Sequence, residues 1–286
     1  MKTGLVMEGG GMRGLYTAGV IDVFMENGVD FDGAIGVSAG ATFGCNIKSK
    51  QHGRALRYNL KYCRDPRYNS VRSLLKTGDL FGAEFCYKTI PNELDIFDVD
   101  TYKNNPMEFY VVCTDVETGE AVYIKCDNGD EQDIEWIRAS ASLPLVARIV
   151  EIEGKKYLDG GIADSIPIEA FNRLGYNRNV VVLTQPAGYS KGKNPVVPLL
   201  KLTMRPYPNF IRCMAERHIM YNHQLEAVAA AEQAGEAVVI RPSQQINIKR
   251  TEKNPKMMQK MYDLGRHDAL EKLAEIKEFL TQSKAE

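Results

Sequence analysis

The sequence predicts an α/β fold with a mainly parallel central sheet. Short apolar runs at residues 4–7 and 31–37 have the length of buried strands, and residues 12–27 between them carry apolar side chains at helical spacing. The second run ends in a turn at Ser38, and another helical stretch follows it. This order of strand, helix, strand, turn and helix is typical of parallel α/β folds, in which functional residues lie at the carboxyl ends of the strands.

Composition places the chain among ordinary soluble globular proteins. Its 286 residues are 44% hydrophobic and 26% charged, which is enough for one large α/β domain or for one domain with an extension. The formal net charge is -1. A protein that binds nucleic acid usually has a strongly basic balance, so we expect no nucleic-acid partner.

The cysteines and the first residues predict a reduced, cytoplasmic protein. None of the six cysteines forms a C-x-x-C pair, so the sequence predicts neither a zinc site nor a disulfide framework. We expect no metal and no organic cofactor. The start of the chain lacks the basic, apolar and cleavage regions of a secretory signal, and no later apolar run reaches about 18 residues.

The rest of the chain continues the alternation of strands and helices. Apolar runs predict further strands at residues 108–113, 121–126, 155–158, 180–184 and 237–240. Helical spacing predicts helices at residues 131–139, 168–174, 209–234 and 256–280. We expect short amphipathic helices around Pro66, Pro91 and Pro106 to cover the site, and a proline-punctuated loop at residues 186–208.

A G-x-S-x-G pattern with Ser38 at its centre predicts a nucleophile elbow. Gly36 and Gly40 lack the β-carbons that would collide in a sharp turn from strand to helix. Such a turn projects the serine hydroxyl clear of the backbone. Ser38 is therefore the candidate nucleophile.

A glycine-rich stretch follows the first strand and has two interpretations. It comprises Gly9, Gly10, Gly11, Met12, Arg13 and Gly14, which match G-x-G-x-x-G. In a dinucleotide fold an acidic residue ends the second strand, whereas Asp30 and Asp32 stand before its apolar residues, so nucleotide binding is the weaker interpretation. Exposed backbone N–H groups at a helix N-terminus suit an oxyanion better.

Asp159 is the candidate catalytic carboxylate. It follows a predicted short strand and precedes Gly160 and Gly161 at a turn. Asp-Gly is by itself an ordinary turn signal. The occurrence of this Asp-Gly pair together with the serine elbow and the glycine-rich stretch favours a functional role.

Histidine is the usual base for a serine nucleophile, and it is scarce here. The four histidines are His52, His218, His223 and His267. None lies in a turn of the kind that follows a late strand. A triad that recruits His218 or His223 from the predicted helix at residues 209–234 remains an alternative.

Three blocks of this sequence resemble the signatures of the patatin-like phospholipase family. They are residues 9–14, residues 36–40 and Asp159-Gly160-Gly161, and the segment Arg138-Ala-Ser-Ala-Ser-Leu-Pro144 is similar to the Ala-Ser-rich block of that family. The resemblance implies a three-layer α/β/α fold with a patatin-like catalytic domain at residues 4–175. Residues 176–286 would complete the sheet and add a mostly helical C-terminal region, packed on the same domain.

The resemblance also implies an activity and roles for residues. It implies a lipid acyl hydrolase that cleaves lipid or small ester substrates through a Ser-Asp dyad, with Ser38 as nucleophile and Asp159 as base. Backbone N–H groups near Gly10 and Gly11 would form the oxyanion hole, and Arg13 matches the basic position of the family in that loop. A catalytically idle lipid-binding or scaffold protein is an alternative, which the intact motif residues argue against. The sequence contains no feature that indicates an oligomeric state.

A basic segment at residues 48–76 suggests peripheral contact with an anionic membrane surface. It holds nine Lys or Arg residues and one acid. Helical spacing places Arg54, Arg57, Lys61 and Arg64 on one face. Cations on one face of a helix attract it to anionic lipid. The alternative is a solvated helix whose apolar side packs on the core.

Overall fold

A single eight-stranded sheet forms the centre of the protein, for which a computed structural model describes residues 1–282. The strand order is β5-β6-β3-β2-β1-β7-β8, and β4 pairs with β3 outside this path. The strands are β1 (Lys2–Met7), β2 (Gly33–Val37), β3 (Glu108–Asp115), β4 (Ala121–Lys125), β5 (Val150–Ile152), β6 (Lys155–Asp159), β7 (Tyr176–Val182) and β8 (Ala237–Ile240). β1 pairs in parallel with β2 and β7, β2 with β3, and β7 with β8, so the sheet is mainly parallel as predicted.

Helices cover both faces of this sheet. They are α1 (Leu15–Glu26), α2 (Ala39–Lys48), α3 (Arg54–Tyr62), α4 (Val71–Thr77), α5 (Val99–Asn104), α6 (Glu131–Ser140), α7 (Ile168–Arg173), α8 (Val197–Thr203), α9 (Pro208–Gln233) and α10 (Pro255–Gln282). One core contains side chains of α1, α2, α6 and α10, and the other contains side chains of α7 and α9. Side chains along β1 alternate between the two, since Leu5 and Met7 belong to the first core and Val6 to the second. The predicted three-layer α/β/α fold is confirmed.

Strands β2 and β6 share one edge of β3. β2 pairs with β3 as far as Val112, and β6 pairs with the next residues, starting with Cys113 opposite Asp159. β4 pairs with residues 110–114 of β3, some of which also pair with β2 or β6. β4 therefore occupies the other edge of β3. β2 runs towards this junction and β6, antiparallel to β3, runs towards it from the opposite side. The residues that end the two strands therefore meet.

The C-terminal region packs against the first helix of the chain at backbone distance. A β-carbon on Gly19 of α1 would lie 2.2 Å from the Tyr262 carbonyl oxygen of α10, and one on Gly265 would lie 2.1 Å from the Tyr16 carbonyl oxygen. Two buried hydrogen bonds flank this contact. The Tyr16 hydroxyl donates to Asp268 at 2.9 Å, and the Tyr262 hydroxyl donates to Asp22 at 2.6 Å.

Two predicted segments differ from the structure. Gly11–Gly14 forms a separate 3₁₀ turn ahead of α1, a common start for an α-helix. α8 lies inside the stretch that we predicted as a loop. Pro198 is in the first turn of α8, where its missing N–H breaks no helical hydrogen bond, so the prolines did not exclude a helix.

The prediction that Arg54 belongs to an exposed cationic face is wrong. Arg54 is only 5% exposed, and its guanidinium donates to the Asp95 carbonyl oxygen and to the Asn46 side chain. Arg57 pairs with both carboxylate oxygens of Asp95 at 2.8 Å. Lys61 and Arg64 remain exposed. The segment that carries Asp95 supplies these partners, and its position cannot be inferred from helical spacing.

Within residues 1–282, no helix combines the length and the apolar character needed to cross a bilayer.

Candidate active site

Ser38 lies on a sharp turn between β2 and α2. Its backbone has φ 55° and ψ -118°, a conformation that side-chain-bearing residues rarely adopt. The turn is tight because a β-carbon on Gly40 would lie 2.3 Å from the Met7 carbonyl oxygen, and one on Gly36 would lie 2.6 Å from the Ala41 nitrogen. The geometry is that of the predicted elbow, with the helix starting directly after the serine.

The Ser38 hydroxyl donates a 2.6 Å hydrogen bond to the Asp159 carboxylate. Asp159 ends β6 and is 1% exposed, and its other carboxylate oxygen accepts from the Gly161 N–H at 2.9 Å. Gly160 and Gly161 form the turn that follows. The junction of β2 and β6 on β3 thus brings together the two residues that the sequence predicted as nucleophile and base.

Burial raises the pKa of Asp159 above its usual value. Four effects oppose this, the largest being the charge of Arg217, followed by the hydrogen bonds from Ser38 and Gly161 and by the charge of Arg250. A carboxyl with a raised pKa is a stronger base once it has lost its proton.

Arg217 extends from α9 to the Asp159 turn. Its Nε donates to the Gly161 carbonyl oxygen, and its Nη2 lies 3.5 Å from the Ser165 hydroxyl. A β-carbon on Gly161 would come within 3.1 Å of this guanidinium. Nothing in the sequence pattern pointed to Arg217, because it lies inside a long helix far from any motif.

The glycine-rich loop presents free backbone donors beside Ser38. The Met12 N–H donates to the Arg250 carbonyl oxygen at 3.1 Å, and the Arg13 N–H donates to the Gly10 carbonyl oxygen at 3.3 Å. The N–H groups of Gly9, Gly10 and Gly11 have no acceptor among residues 1–282. A β-carbon on Gly9 would lie 2.9 Å from the Ser38 β-carbon, so the loop and the elbow are in contact. Gly14 packs on the first residue of α2.

Two hydroxyl groups that sequence analysis did not single out hold the junction. The Ser140 hydroxyl donates to the Val112 carbonyl oxygen at 2.6 Å and accepts from the Ser38 N–H at 2.9 Å. The Thr114 hydroxyl donates to the Asp159 carbonyl oxygen at 2.8 Å. Ser140 lies in the Ala-Ser-rich block, so that block was a signal for it, whereas Thr114 stood in an unremarkable strand.

Two pockets open at Ser38. One is a cavity of about 150 Å³. Its apolar lining includes Phe43, Tyr58, Phe81, Ile90, Ile137 and Leu143. The other, of about 30 Å³, is polar and is called the cationic pocket here. Its charged lining consists of Glu8, Arg13, Asp159, Lys191, Arg217 and Arg250. No histidine within residues 1–282 lines either pocket.

The histidines of the alternative triad lie on α9. The His218 ring lies 3.0 Å from the Ala215 carbonyl oxygen on its own helix. His223 lines neither pocket. The structure therefore does not bring either ring to the Ser38 hydroxyl.

Comparison with known proteins gives two matched families. The family model described as Patatin-like phospholipase matches residues 5–172, more than half of the 286 residues. A second model, described as Domain of unknown function (DUF6363), matches residues 207–281. The chain is similar to Uncharacterized protein YjjU of Escherichia coli (strain K12), with 31% identity over 195 residues that cover 65% of this chain and 53% of the relative.

More distant similarity extends to a fungal enzyme and to a solved structure. Lysophospholipase nte1 of Aspergillus niger is 26% identical over 190 residues, which cover 61% of this chain and 11% of that protein. VipD from Legionella pneumophila has a TM-score of 0.51 at 12% identity, over 96% of this chain and 67% of VipD, and this shows a shared fold. The chain thus spans about half the length of the bacterial relative and about a tenth of the fungal one. From the extent of the first family match, this chain belongs to the patatin-like phospholipase family.

Proposed function

We propose that this protein is a lipid acyl hydrolase that works through a Ser38–Asp159 dyad. The observation that carries the proposal is the 2.6 Å hydrogen bond from the Ser38 hydroxyl to a buried carboxylate, next to a loop with unpaired backbone N–H groups. The family match and the similarity to a lysophospholipase support a lipid ester as substrate. The apolar cavity at Ser38 suits an acyl chain.

The reaction starts when the Ser38 oxygen attacks the ester carbonyl carbon and Asp159 takes the proton of the Ser38 hydroxyl. The carbonyl oxygen becomes an oxyanion, which the free N–H groups of Gly10 and Gly11 stabilise. Asp159 then gives the proton to the departing alcohol, and an acyl-enzyme on Ser38 remains. Water attacks the acyl group, Asp159 accepts its proton, and the fatty acid is released as Ser38 regains its hydrogen.

The dyad needs no third catalytic side chain, because neighbouring hydrogen bonds orient its base. The Gly161 N–H and the Thr114 hydroxyl fix the carboxylate and the backbone of Asp159. The Ser140 hydroxyl fixes the backbone of Ser38. This set of contacts, together with the absence of His218 and His223 from the linings of both pockets, supports a dyad over a triad. It also argues against a catalytically idle scaffold, because strained backbone of the kind found at Ser38 concentrates at functional sites.

Labelling with a fluorophosphonate probe tests the proposal. We expect wild type to be labelled, and Ser38→Ala to lose both labelling and ester hydrolysis while it keeps its melting temperature. The matched control is Ser190→Ala, which removes an exposed hydroxyl on the loop after β7. Residual hydrolysis by Ser38→Ala above about a tenth of wild type, far more than loss of a serine nucleophile normally leaves, would reject Ser38 as nucleophile.

A further inference from the structure

The cationic pocket collects four positive side chains from four parts of the chain. Arg13 comes from the glycine-rich loop, and Arg217 comes from α9. Lys191 follows β7, and Arg250 precedes α10. Three of the four therefore lie outside residues 5–172, which match the patatin-like phospholipase family. The family motifs alone do not account for this pocket.

These four charges have no carboxylate partner of their own. Among residues 1–282, none of them is within 4.0 Å of an acidic oxygen. The Arg13 Nε is buried without any hydrogen-bond partner. The Lys191 ammonium lies 4.2 Å from the centre of the Tyr221 ring, and Arg217 donates to the carbonyl oxygen of Gly161. Arg13, Lys191 and Arg217 are partly buried, and a partly buried cation without a counter-charge is unfavourable unless an anion joins it.

The two acids of the pocket are already engaged. One Glu8 oxygen accepts from the Tyr221 hydroxyl at 2.7 Å and the other from the Thr184 N–H at 2.6 Å. The Asp159 oxygens accept from Ser38 and Gly161. Four cations against two acids leave an excess of positive charge beside Ser38.

The size of the pocket limits what the excess charge can hold. Its volume of about 30 Å³ is a fifth of the apolar cavity on the other side of Ser38. Such a volume holds a few non-hydrogen atoms, since one water needs ≳10–15 Å³ by this measure. A compact anion fits this space. A quaternary ammonium headgroup is too large for the pocket, and the positive side chains of the pocket would repel it.

We propose that the cationic pocket selects lipid esters whose leaving alcohol ends in a phosphate monoester, with Lys191 and Arg250 as specificity-determining residues. The inference rests on the proposed function. The acyl chain enters the apolar cavity, the ester carbonyl lies at Ser38, and the phosphate, a few bonds from the ester, lies among the cations. Guanidinium groups bind phosphate by charge-assisted hydrogen bonds. A choline group on the phosphate would bring a positive charge towards four others.

Three lipids with one acyl chain test the selection: a lysophosphatidate, a lysophosphatidylcholine and a monoacylglycerol. We expect wild type to have the highest kcat/KM with lysophosphatidate, at least about tenfold above lysophosphatidylcholine. Lys191→Gln and Arg250→Gln should each lower the ratio of lysophosphatidate to monoacylglycerol kcat/KM by about tenfold, as expected for loss of one charged hydrogen bond. The controls are Lys193→Gln and Lys249→Gln, which change exposed neighbours outside the pocket lining. Melting temperatures establish that all four variants fold.

A binding measurement separates a lipid phosphate from a free one. Calorimetric titration of Ser38→Ala with glycerol 3-phosphate, inorganic phosphate and glycerol measures binding to the pocket in the absence of catalysis. We expect glycerol 3-phosphate to bind, glycerol not to bind, and Lys191→Gln in the same background to weaken binding. If the phosphates bind but the substrate ratio is unchanged in both variants, the pocket holds a free anion and the selection of lipids is overturned.

The proposed function and this inference fail in different ways. Equal kcat/KM for the three lipids, with Ser38-dependent probe labelling intact, would overturn only the role of the cationic pocket. Absence of labelling and of hydrolysis with every lipid would overturn both.

Discussion

Val37 and Asp159 occupy neighbouring pairing positions on the same edge of β3. Val37 pairs with Val112 and Asp159 with Cys113, although the two come from strands that run in opposite directions. The residue after Val37 is Ser38, so the sheet register brings the elbow that carries the hydroxyl next to the carboxylate. Hydrogen bonding of the main chain, which is spread over three strands, thus fixes the geometry of the site.

Replacing the carboxylate should be far worse than replacing either histidine of α9. We expect Asp159→Asn to lower kcat of ester hydrolysis nearly as much as Ser38→Ala, because an amide keeps the shape but cannot accept a proton. His218→Ala and His223→Ala should stay within about threefold of wild type, since neither ring lines the pockets. Steady-state kinetics with a short-chain ester measure this. Tolerated Asp159→Asn with a severe loss from one histidine would assign the base to a triad.

A methyl group at Gly11 should slow catalysis. Gly11 has φ +58°, and a β-carbon there would lie 2.6 Å from the Arg250 carbonyl oxygen, so Gly11→Ala must move the loop that carries the free N–H groups. We expect kcat to fall by about 10² to 10³, the usual effect of losing one oxyanion donor. The matched control is Gly28→Ala, which has a similar φ of +63° in open space and should affect only stability. Unchanged kcat in folded Gly11→Ala would leave these glycines as turn residues.

The pH dependence of kcat/KM should report the raised pKa of Asp159. Catalysis needs the unprotonated carboxylate, so activity falls as pH decreases through that pKa. Because burial raises it, the acid limb should lie above the ordinary value of 3.8. Arg217 opposes the shift, and Arg217→Gln should therefore move the limb to still higher pH. A limb that stays in place in this variant would exclude electrostatic coupling between the two residues.

Preference for a phosphate-bearing substrate should weaken in mild alkali. Burial, together with the charges of Arg217, Arg250 and Arg13, lowers the pKa of Lys191 to about 8, although the charge of Glu8 opposes this shift. The ammonium is charged below this pH, and the phosphate monoester is already a dianion above about pH 7. The ratio of lysophosphatidate to monoacylglycerol kcat/KM should thus fall as pH rises from about 7.5 to about 9. Lys191→Gln should show a flat ratio over this interval, and a parallel fall in the variant would assign the effect to another group.

We expect any contact of α3 and the residues just after it with an anionic membrane to depend on Lys61 and Arg64. Both are exposed, whereas Arg54 is buried and Arg57 is paired with Asp95. We expect Lys61→Glu combined with Arg64→Glu to weaken sedimentation with anionic but not neutral vesicles, because each cation near such a surface contributes about 1 kcal/mol. The control is Lys260→Glu, which changes an exposed side chain of α10. Equal binding of wild type and the double variant at low salt would identify α3 as scaffold.

Local patterns predicted the parts of the site that depend on neighbouring residues. The strand before Ser38, the glycines at its turn and the Asp-Gly turn at Asp159 each leave a short signature, and each lies where the sequence placed it. The resemblance of these blocks to the patatin-like phospholipase family implies the three-layer fold, and both the family and the fold are confirmed.

Contacts between distant segments could not be predicted in the same way. Arg217, Lys191 and Arg250 reach the site from a helix and two loops whose sequences show no motif. Arg54 seemed exposed because helical spacing describes one helix and says nothing of the segment that covers it. Side chains that reach a site through tertiary packing do not produce a periodic pattern in the sequence.

The backbone contact between α1 and α10 bears on how the chain can be divided. Residues 5–172, the part that carries every motif, would leave the surface of α1 at Gly19 uncovered and the Tyr16 hydroxyl without its acceptor. The Asp22 carboxylate would lose the Tyr262 hydroxyl and keep only the Gly53 N–H. Residues 5–172 would also lack β7, so that β1 would become an open strand edge with unpaired N–H and C=O groups. Such an edge invites pairing with other chains. An excised motif region should therefore aggregate, and the protein can be shortened only from outside the α1–α10 contact.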